Sequence, residues 1–209
     1  MWIGVLTGAG PVFSAGADLK VVAAGQFAEM ITERGGFAGI VSRERSKPII
    51  AAVDGRALAG GCEIVLACDL VVASTEAQFG IPEVKRSLVA AAGGLARLPR
   101  KLPWNVAMEL AMTGDPIDAE RAHQFGMVNR LCEPGQAVEA AMELADQINA
   151  NAPLAVRASR KLVLASLEHT DTEIIELSGS EMASLAGTED FAEGPMAFIE
   201  KRDPAWKGR

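Results

Sequence analysis

Apolar residues in the first half of the chain form short continuous runs separated by turn residues. These runs predict strands at Trp2–Thr7, Pro48–Val53, Asp69–Ala73 and, more briefly, Ala77–Gly80. Between the second and third runs, Gly60-Gly61 begins a predicted helix that continues to about Ala67. Strands that are apolar throughout and alternate with helices are typical of an α/β fold whose strands are buried on both faces.

The second half of the chain is predicted to be mostly helical. Helical periodicity covers about 105–112, 118–123, 137–149, 154–166, 171–186 and 189–201, and a last strand is predicted at Met127–Leu131. Residues 18–45 also carry helical patterns, interrupted by Gly25 and Gly35-Gly36. The chain is therefore expected to consist of a core over residues 1–150 and a C-terminal helical region over residues 151–209.

Composition and charge exclude several classes of function. A chain of 209 residues can bury a substantial core, and its net charge of −7, without any long block of Lys or Arg, argues against nucleic-acid binding. No apolar stretch reaches the ~18–20 residues that a membrane span needs. The three cysteines, Cys62, Cys68 and Cys132, and the two histidines lack the spacing of a metal site. We expect buried, reduced thiols in a cytoplasmic protein that holds no metal.

Two glutamates stand in unusually apolar surroundings. Glu63 precedes the run Ile64–Cys68, and Glu83 follows Phe79–Pro82. An uncompensated buried carboxylate costs several kcal/mol by order of magnitude, so such positions indicate acid/base chemistry. Burial raises the pKa of Glu63 and the start of a helix lowers it, so the sequence leaves the net direction open. Glu83 taken alone is better explained as an acidic residue that begins a helix after Pro82, and it is the pair that indicates the chemistry.

Two turns rich in small residues precede these glutamates, one directly before Glu63 and the other far upstream of it. Ala59-Gly60-Gly61 places backbone N–H groups at the start of a helix, where they suit a developing oxyanion. The turn Ser14–Asp18 can approach a ligand closely, with Gly16 at positive φ, or can simply begin a helix that Asp18 caps at Leu19. The Gly8-Ala9-Gly10 segment lacks the third glycine of a dinucleotide-binding loop, and Pro11 lacks an N–H, so we reject that site.

Several motifs in one order carry a resemblance to a known family. They are FSAGADLK (13–20), KPIIAAVDGRALAGGCEIVLACDLVVAS (47–74), AQFGIPEVKRSLVAAAGGLARLPR (77–100), MELAMTG (108–114), AERAHQFGMVNRL (119–131) and EGPMAFIEKR (193–202). Over essentially its whole length the chain resembles the crotonase superfamily, the enoyl-CoA hydratases and isomerases. The resemblance implies a crotonase spiral of ββα units with C-terminal helices that make the contacts of a homotrimer or hexamer. Family members also carry a strand pair and a helix before the strand at Trp2–Thr7, so we expect a form that is short at its N-terminus.

The resemblance assigns a role to each candidate residue. The backbone N–H groups of Ala17 and Gly60 would form an oxyanion hole for the thioester carbonyl of an acyl-CoA. Glu63 and Glu83 match the two catalytic glutamates of the hydratases. Ala15, Asp18 and Lys201 would contribute to substrate binding. Lys201 matches a lysine that approaches the CoA phosphates in relatives, and it is equally expected as a solvated lysine at a helix end.

The resemblance implies an enoyl-CoA hydratase, a lyase that reversibly adds water to a trans-2-enoyl-CoA to give a 3-hydroxyacyl-CoA, with no cofactor beyond the CoA of the substrate. Three alternatives remain: a carnitinyl-CoA dehydratase, an enoyl-CoA isomerase, and a non-catalytic acyl-CoA-binding protein. The segment 82–94 also resembles the carnitinyl-CoA dehydratase branch, which shares both glutamates. The absence of tyrosine, and the position of both histidines away from the two glutamates and the two turns of small residues, disfavour members that use Tyr or His and a protease of related fold.

Overall fold

The computed structural model describes residues 2–209. Its strands are β1 (Gly4–Thr7), β2 (Val12–Ser14), β3 (Ile31–Thr32), β4 (Gly36–Phe37), β5 (Ile49–Val53), β6 (Arg56–Leu58), β7 (Leu70–Ser74), β8 (Gln78–Gly80), β9 (Ile117–Asp118) and β10 (Arg130–Cys132). Its α-helices are α1 (Leu19–Ala23), α2 (Gly60–Ala67), α3 (Gly94–Lys101), α4 (Trp104–Thr113), α5 (Ala119–Gln124), α6 (Ala137–Asn149), α7 (Pro153–Ala165), α8 (Asp171–Leu185) and α9 (Glu189–Glu200). Two 3₁₀ helices cover Phe27–Met30 and Pro82–Arg86.

Two four-stranded sheets form the core. The first has the order β1-β5-β7-β10 and is parallel throughout, and the second has the order β2-β6-β8-β9. In the central strands of the first sheet, every residue from Ile50 to Val53 and from Val71 to Ala73 is fully buried. Continuous apolar runs form these strands because both faces of the sheet are covered. The predicted strands at 48–53 and 69–73 are thereby confirmed.

A repeated unit explains the order of the two sheets. Each of β1, β5 and β7 is followed within a few residues by β2, β6 and β8, which pair in the same order in the second sheet. A helix follows β2 and β6, which makes ββα units. The short strands β2 and β6 were absent from the sequence prediction, because three residues next to glycine turns carry too little periodicity to identify them.

The prediction for residues 18–45 was partly wrong. Helical structure is limited to α1 and the 3₁₀ helix Phe27–Met30, and the following residues form the antiparallel pair β3–β4. Gly36 has φ 66°, and a side chain at Gly35 would lie 2.1 Å from the carbonyl oxygen of Gly39. Glycines that permit so tight a turn end the helix and direct the chain into the strand pair. Helix α3 was also missed. The strand predicted at 127–131 corresponds to β10, which begins at Arg130 and ends at Cys132.

The described chain divides into two compact units. One contains Gly4–Arg45 and Ile49–Glu143 and holds both sheets; the other contains Ser46–Pro48, Leu144–Arg209 and the N-terminal residues up to Ile3. In the second unit the carboxylate of Asp190 accepts hydrogen bonds from the backbone N–H groups of Lys207 and Gly208 and so holds the C-terminal tail on α9. Among residues 2–209, none of the helices has the length and apolar character needed to cross a membrane.

Candidate active site

The residue that precedes helix α2 has a strained backbone conformation. Ala59 precedes the helix at φ 51° and ψ −129°, a conformation that residues with a side chain rarely adopt. Its backbone is held on both sides, since Ala59 N donates to the carbonyl of Gly80 at 2.9 Å and Ala59 O accepts from Glu63 N at 3.1 Å. The N–H of Gly60, the first residue of the helix, has no acceptor within the helix. These contacts maintain the strained conformation of Ala59.

The turn at Ser14–Asp18 lies directly against this helix start. Gly16 has φ 87°, which confirms the predicted left-handed position, and a side chain there would lie 2.6 Å from Gly60 N. The hydroxyl of Ser14 accepts from Gly16 N at 3.2 Å. Among the hydrogen bonds of residues 2–209, none is donated by the backbone N–H of Ala17 or Gly60. The two amides assigned to the oxyanion hole are thus on adjoining segments and available to a ligand.

Two cations hold the opposite end of helix α2. The guanidinium of Arg45 donates to the carbonyl of Ala67 at 2.6 Å and also pairs with Asp69. The ammonium of Lys101 donates to the carbonyl of Cys68 at 3.1 Å. Positive groups at a helix C-terminus satisfy its last carbonyls and complement the helix dipole. These contacts fix the helix that carries both Gly60 and Glu63.

Glu63 lies in the first turn of α2 and is only 3% exposed. Its Oε1 accepts a hydrogen bond from the backbone N–H of Gly94 at 2.8 Å. Burial raises the pKa of the Glu63 carboxyl, and the charge of Glu83 raises it further, against the opposing effects of the Gly94 amide and the Arg97 guanidinium. The direction that the sequence left open is therefore upward.

Glu83 lies in the first turn of the 3₁₀ helix Pro82–Arg86 and is half-buried. Burial raises the pKa of its carboxyl, and its own backbone N–H and the charge of Arg86 oppose that rise. The Oε2 atom of Glu83 is buried and has no hydrogen-bond partner among the described residues. A buried polar atom without a partner is uncommon and is a feature of functional sites. This oxygen can therefore bond to a substrate or to a water molecule.

Electrostatic effects on Glu63 and Cys62 indicate that the two carboxyl groups lie in one neighbourhood. The charge of Glu83 raises the pKa of Glu63, and both charges add to the burial that raises the pKa of the Cys62 thiol to about 12. Cys62 and Cys68 are buried as predicted, while Cys132 is half-buried, and all three are free thiols. No three His, Cys, Asp or Glu side chains within residues 2–209 are grouped as metal ligands.

The remaining predicted site residues are Ala15, Asp18 and Lys201. Asp18 is the N-cap of α1, as one interpretation of the sequence predicted: its side chain accepts from Lys20 N at 2.8 Å. Ala15 is exposed on the turn beside Gly16. Lys201 ends helix α9 in the left-handed conformation and belongs to the second compact unit. No contact in the structure bears on a substrate-binding role for these three residues, which stays a prediction.

Sequence reasoning missed three residues around the site. A side chain at Gly60 would lie 2.5 Å from the ring of Phe37, so this ring covers the helix start. Phe37 stacks on the partly exposed ring of Phe27 with the centroids 6.4 Å apart. Arg97 is the cation that acts on Glu63. Phe27 and Phe37 lie in the segment wrongly predicted to be mainly helical, and the Gly93-Gly94 pair before Arg97 was the available signal for the third.

The raised pKa of Glu63 has a consequence for stability. Its pKa in the folded state lies above the unfolded value, so the native state binds more protons between these two values and the free energy of unfolding falls as pH rises through that window. We expect the variant Glu63→Gln to have a higher Tm than the wild type at pH 8, with a difference that shrinks toward pH 4. Thermal denaturation across this range measures it, with the exposed Glu76→Gln as control. A Tm at pH 8 equal to or below that of the wild type would contradict the burial argument.

Comparisons with known proteins extend over the whole described chain. Residues 3–209 match the family model described as enoyl-CoA hydratase/isomerase. The chain is 40% identical to a carnitinyl-CoA dehydratase of Proteus mirabilis over 213 aligned residues, covering 99% of this chain and 82% of that protein, and 42% identical to one of Citrobacter koseri with the same coverage. Among solved structures, an enoyl-CoA hydratase from Mycobacterium marinum superposes with a TM-score of 0.93 at 49% identity over 99% of this chain and 81% of that one. A carnitinyl-CoA hydratase from Mycobacterium avium gives 0.74 at 45% identity over 100% of this chain and 82% of that one.

Proposed function

The chain belongs to the enoyl-CoA hydratase/isomerase family and has the crotonase fold, and from this premise we propose that it reversibly adds water to a trans-2-enoyl-CoA to give a 3-hydroxyacyl-CoA. One observation supports this proposal above the others: two carboxyl groups with raised pKa values share the neighbourhood of two available backbone amides. The only cofactor that the reaction requires is the CoA already attached to the substrate.

The backbone N–H groups of Ala17 and Gly60 would donate hydrogen bonds to the thioester oxygen. When water adds at the β-carbon, negative charge moves through the double bond onto this oxygen and produces an enolate. Two fixed N–H donors aimed at the oxygen stabilise that charge and need no reorganisation during the reaction. The strained Ala59 backbone and the close approach of Gly16 to Gly60 are what hold the donors in place.

The two glutamates would move the protons. One carboxylate takes a proton from the attacking water as the new C–O bond forms at the β-carbon, and the other carboxylic acid gives a proton to the α-carbon. Both proton transfers on one side of the double bond make the addition syn, and dehydration is the same path reversed. Burial raises both pKa values, which favours the protonated form that a general acid needs and makes the ionised form a stronger base.

A second candidate is the dehydration of a carnitinyl-CoA. The observation in its favour is that curated relatives at 40–42% identity carry the name carnitinyl-CoA dehydratase, and one structural neighbour is named a carnitinyl-CoA hydratase. The reaction uses the same pair of proton transfers, and only the trimethylammonium group of the acyl chain differs. Isomerisation is less favoured, because moving a double bond needs one acid/base group and the site offers two.

An assay of the purified protein tests both candidates. Hydration removes the ultraviolet absorbance of the conjugated enoyl thioester, so short, medium and long trans-2-enoyl-CoA substrates are each followed by that signal. Dehydration of carnitinyl-CoA forms a conjugated enoyl thioester, so that reaction is followed by the appearance of the same absorbance. Turnover of the simple enoyl-CoA supports hydration, and turnover of carnitinyl-CoA alone supports the second candidate. Binding of acyl-CoA by calorimetry without turnover of any substrate would contradict both and indicate a non-catalytic acyl-CoA-binding protein.

Assembly into a homotrimer or hexamer is part of the proposal. Large apolar side chains are exposed on all three C-terminal helices: Val163, Ile175, Met182, Phe198 and Ile199. Monomeric proteins rarely leave so much apolar surface in water, so we expect these helices to pack on neighbouring subunits. Sedimentation velocity at assay concentration measures the subunit number, and a monomer at micromolar concentration would contradict this expectation. In such an assembly Lys201, at the end of α9, would meet the CoA phosphates. Ala15 and Asp18 would contribute to binding of the substrate.

A further inference from the structure

The guanidinium of Arg97 connects two segments that are distant in the sequence. Its Nη2 donates to the carbonyl of Val41 at 2.5 Å, and its Nη1 donates to the carbonyl of Ala92 at 3.3 Å. Gly93 lies directly beneath it, at φ 98°, and a side chain at that position would come within 2.1 Å of Nη1. Arg97 thus packs against the residues that precede its own helix, α3, and also holds the turn that follows β4.

Each of these segments supports one half of the candidate site. The segment at Ala92 continues directly into Gly94, whose N–H binds the carboxylate of Glu63. The segment at Val41 forms a turn with Phe37, since Val41 N donates to the Phe37 carbonyl at 3.4 Å, and the Phe37 ring covers Gly60. Displacing the guanidinium would therefore loosen two contacts of the site. These are the Gly94 amide that binds Glu63 and the Phe37 ring that covers Gly60.

Arg97 also contributes charge. The charged or titratable groups that face Glu63 are Glu83 from the 3₁₀ helix, Arg97 from α3 and the neighbouring thiol of Cys62. Glu83 and Arg97 act in opposite directions, because a second carboxylate disfavours ionisation of Glu63 and a cation favours it. A guanidinium remains charged even when half-buried. Together with the backbone amides of Gly94 and Ala92, Arg97 therefore favours ionisation of Glu63 beside Glu83.

We propose that Arg97 is a positioning residue that locks the Gly94 amide and the Phe37 turn against the two sides of the reaction centre and balances the charge of Glu63. This rests on the proposed hydration, in which Glu63 exchanges a proton. Arg97 itself touches no reacting atom: it acts through the carbonyls of Val41 and Ala92 and through its electrostatic effect on Glu63.

Kinetics of three variants separate positioning from charge. Arg97→Met removes both, Arg97→Lys keeps the charge without the planar fork that reaches two carbonyls, and the exposed Arg100→Met on the same helix is the matched control. We expect kcat to fall about 10- to 100-fold in Arg97→Met with a small change in KM, because a misplaced reacting group lowers the rate of the chemical step. Arg97→Lys should recover the wild-type pH profile but only part of kcat, and Arg100→Met should match the wild type.

Titration of Glu63 provides a measurement that does not depend on turnover. NMR of protein labelled with ¹³C at the glutamate carboxyl groups follows Glu63 across pH, assigned by its absence in Glu63→Gln. In Arg97→Met the midpoint should move to higher pH, while Arg97→Lys and Arg100→Met should leave it in place. If kcat falls but the titration midpoint of Glu63 does not move, Arg97 has a structural role only and the proposal is overturned. The proposal is also overturned if neither kcat nor the midpoint changes. A wild-type protein that titrates as expected but hydrates no enoyl-CoA would contradict the proposed function instead.

Discussion

Replacing either glutamate by glutamine should lower kcat for hydration by about 10²–10⁴-fold, the range that one acid/base group contributes. Glu63→Gln keeps the amide oxygen that accepts from Gly94 N, and Glu83→Gln keeps the shape of the half-buried side chain, so both variants should fold and bind substrate. Neither can gain or lose a proton at neutral pH. Steady-state kinetics on a trans-2-enoyl-CoA, with circular dichroism to verify folding, measure the effect.

The double variant distinguishes hydration from a one-base reaction. Since both proton transfers belong to one reaction path, losing both glutamates should cost little more than losing the more important one. A single variant that keeps most of the wild-type hydration rate would show that one carboxyl group suffices and would contradict the mechanism with two glutamates. Retention of hydratase activity in both single variants would place the chemistry at another site altogether.

Gly16→Ala should lower kcat by about 10²–10³-fold, the cost of removing one oxyanion-hole donor. The new methyl group would lie 2.6 Å from Gly60 N and 3.0 Å from the Cβ atom of Ala59. These are atoms of the backbone and of a short side chain, so they cannot rotate away, and the turn carrying Ala17 would have to move off the helix start. We expect a small change in KM and a large loss in kcat, because the donors stabilise charge that develops during the reaction.

Gly10→Ala is the matched control for this substitution. Gly10 has φ 82°, close to the 87° of Gly16, but a side chain there would meet nothing within 4 Å. Both variants carry the same backbone strain, on the order of 1–2 kcal/mol, and only Gly16→Ala adds the clash at Gly60. Equal losses of kcat in the two variants would attribute the effect to strain alone and contradict the assignment of the adjoining amides.

Prediction from the sequence succeeded where the signal is local. The helix predicted from Gly60 to about Ala67 is confirmed, and the cap at Asp18 confirms one of the two interpretations of its turn, because glycine pairs and capping residues act on their nearest neighbours. Prediction failed for the strands β2 and β6, which pair with each other across more than forty residues of sequence and have little pattern of their own. The pair β3–β4 likewise depends on glycines that override helical periodicity.

The sequence by itself determined which residues could carry the chemistry: two glutamates in apolar runs and two turns of small residues. Only the tertiary structure decided what surrounds these groups. The amide that binds Glu63 comes from Gly94, the ring that covers Gly60 comes from Phe37, and the upward direction of both carboxyl pKa values follows from burial. Burial and mutual charge depend on distances through space, which local patterns along a chain do not contain.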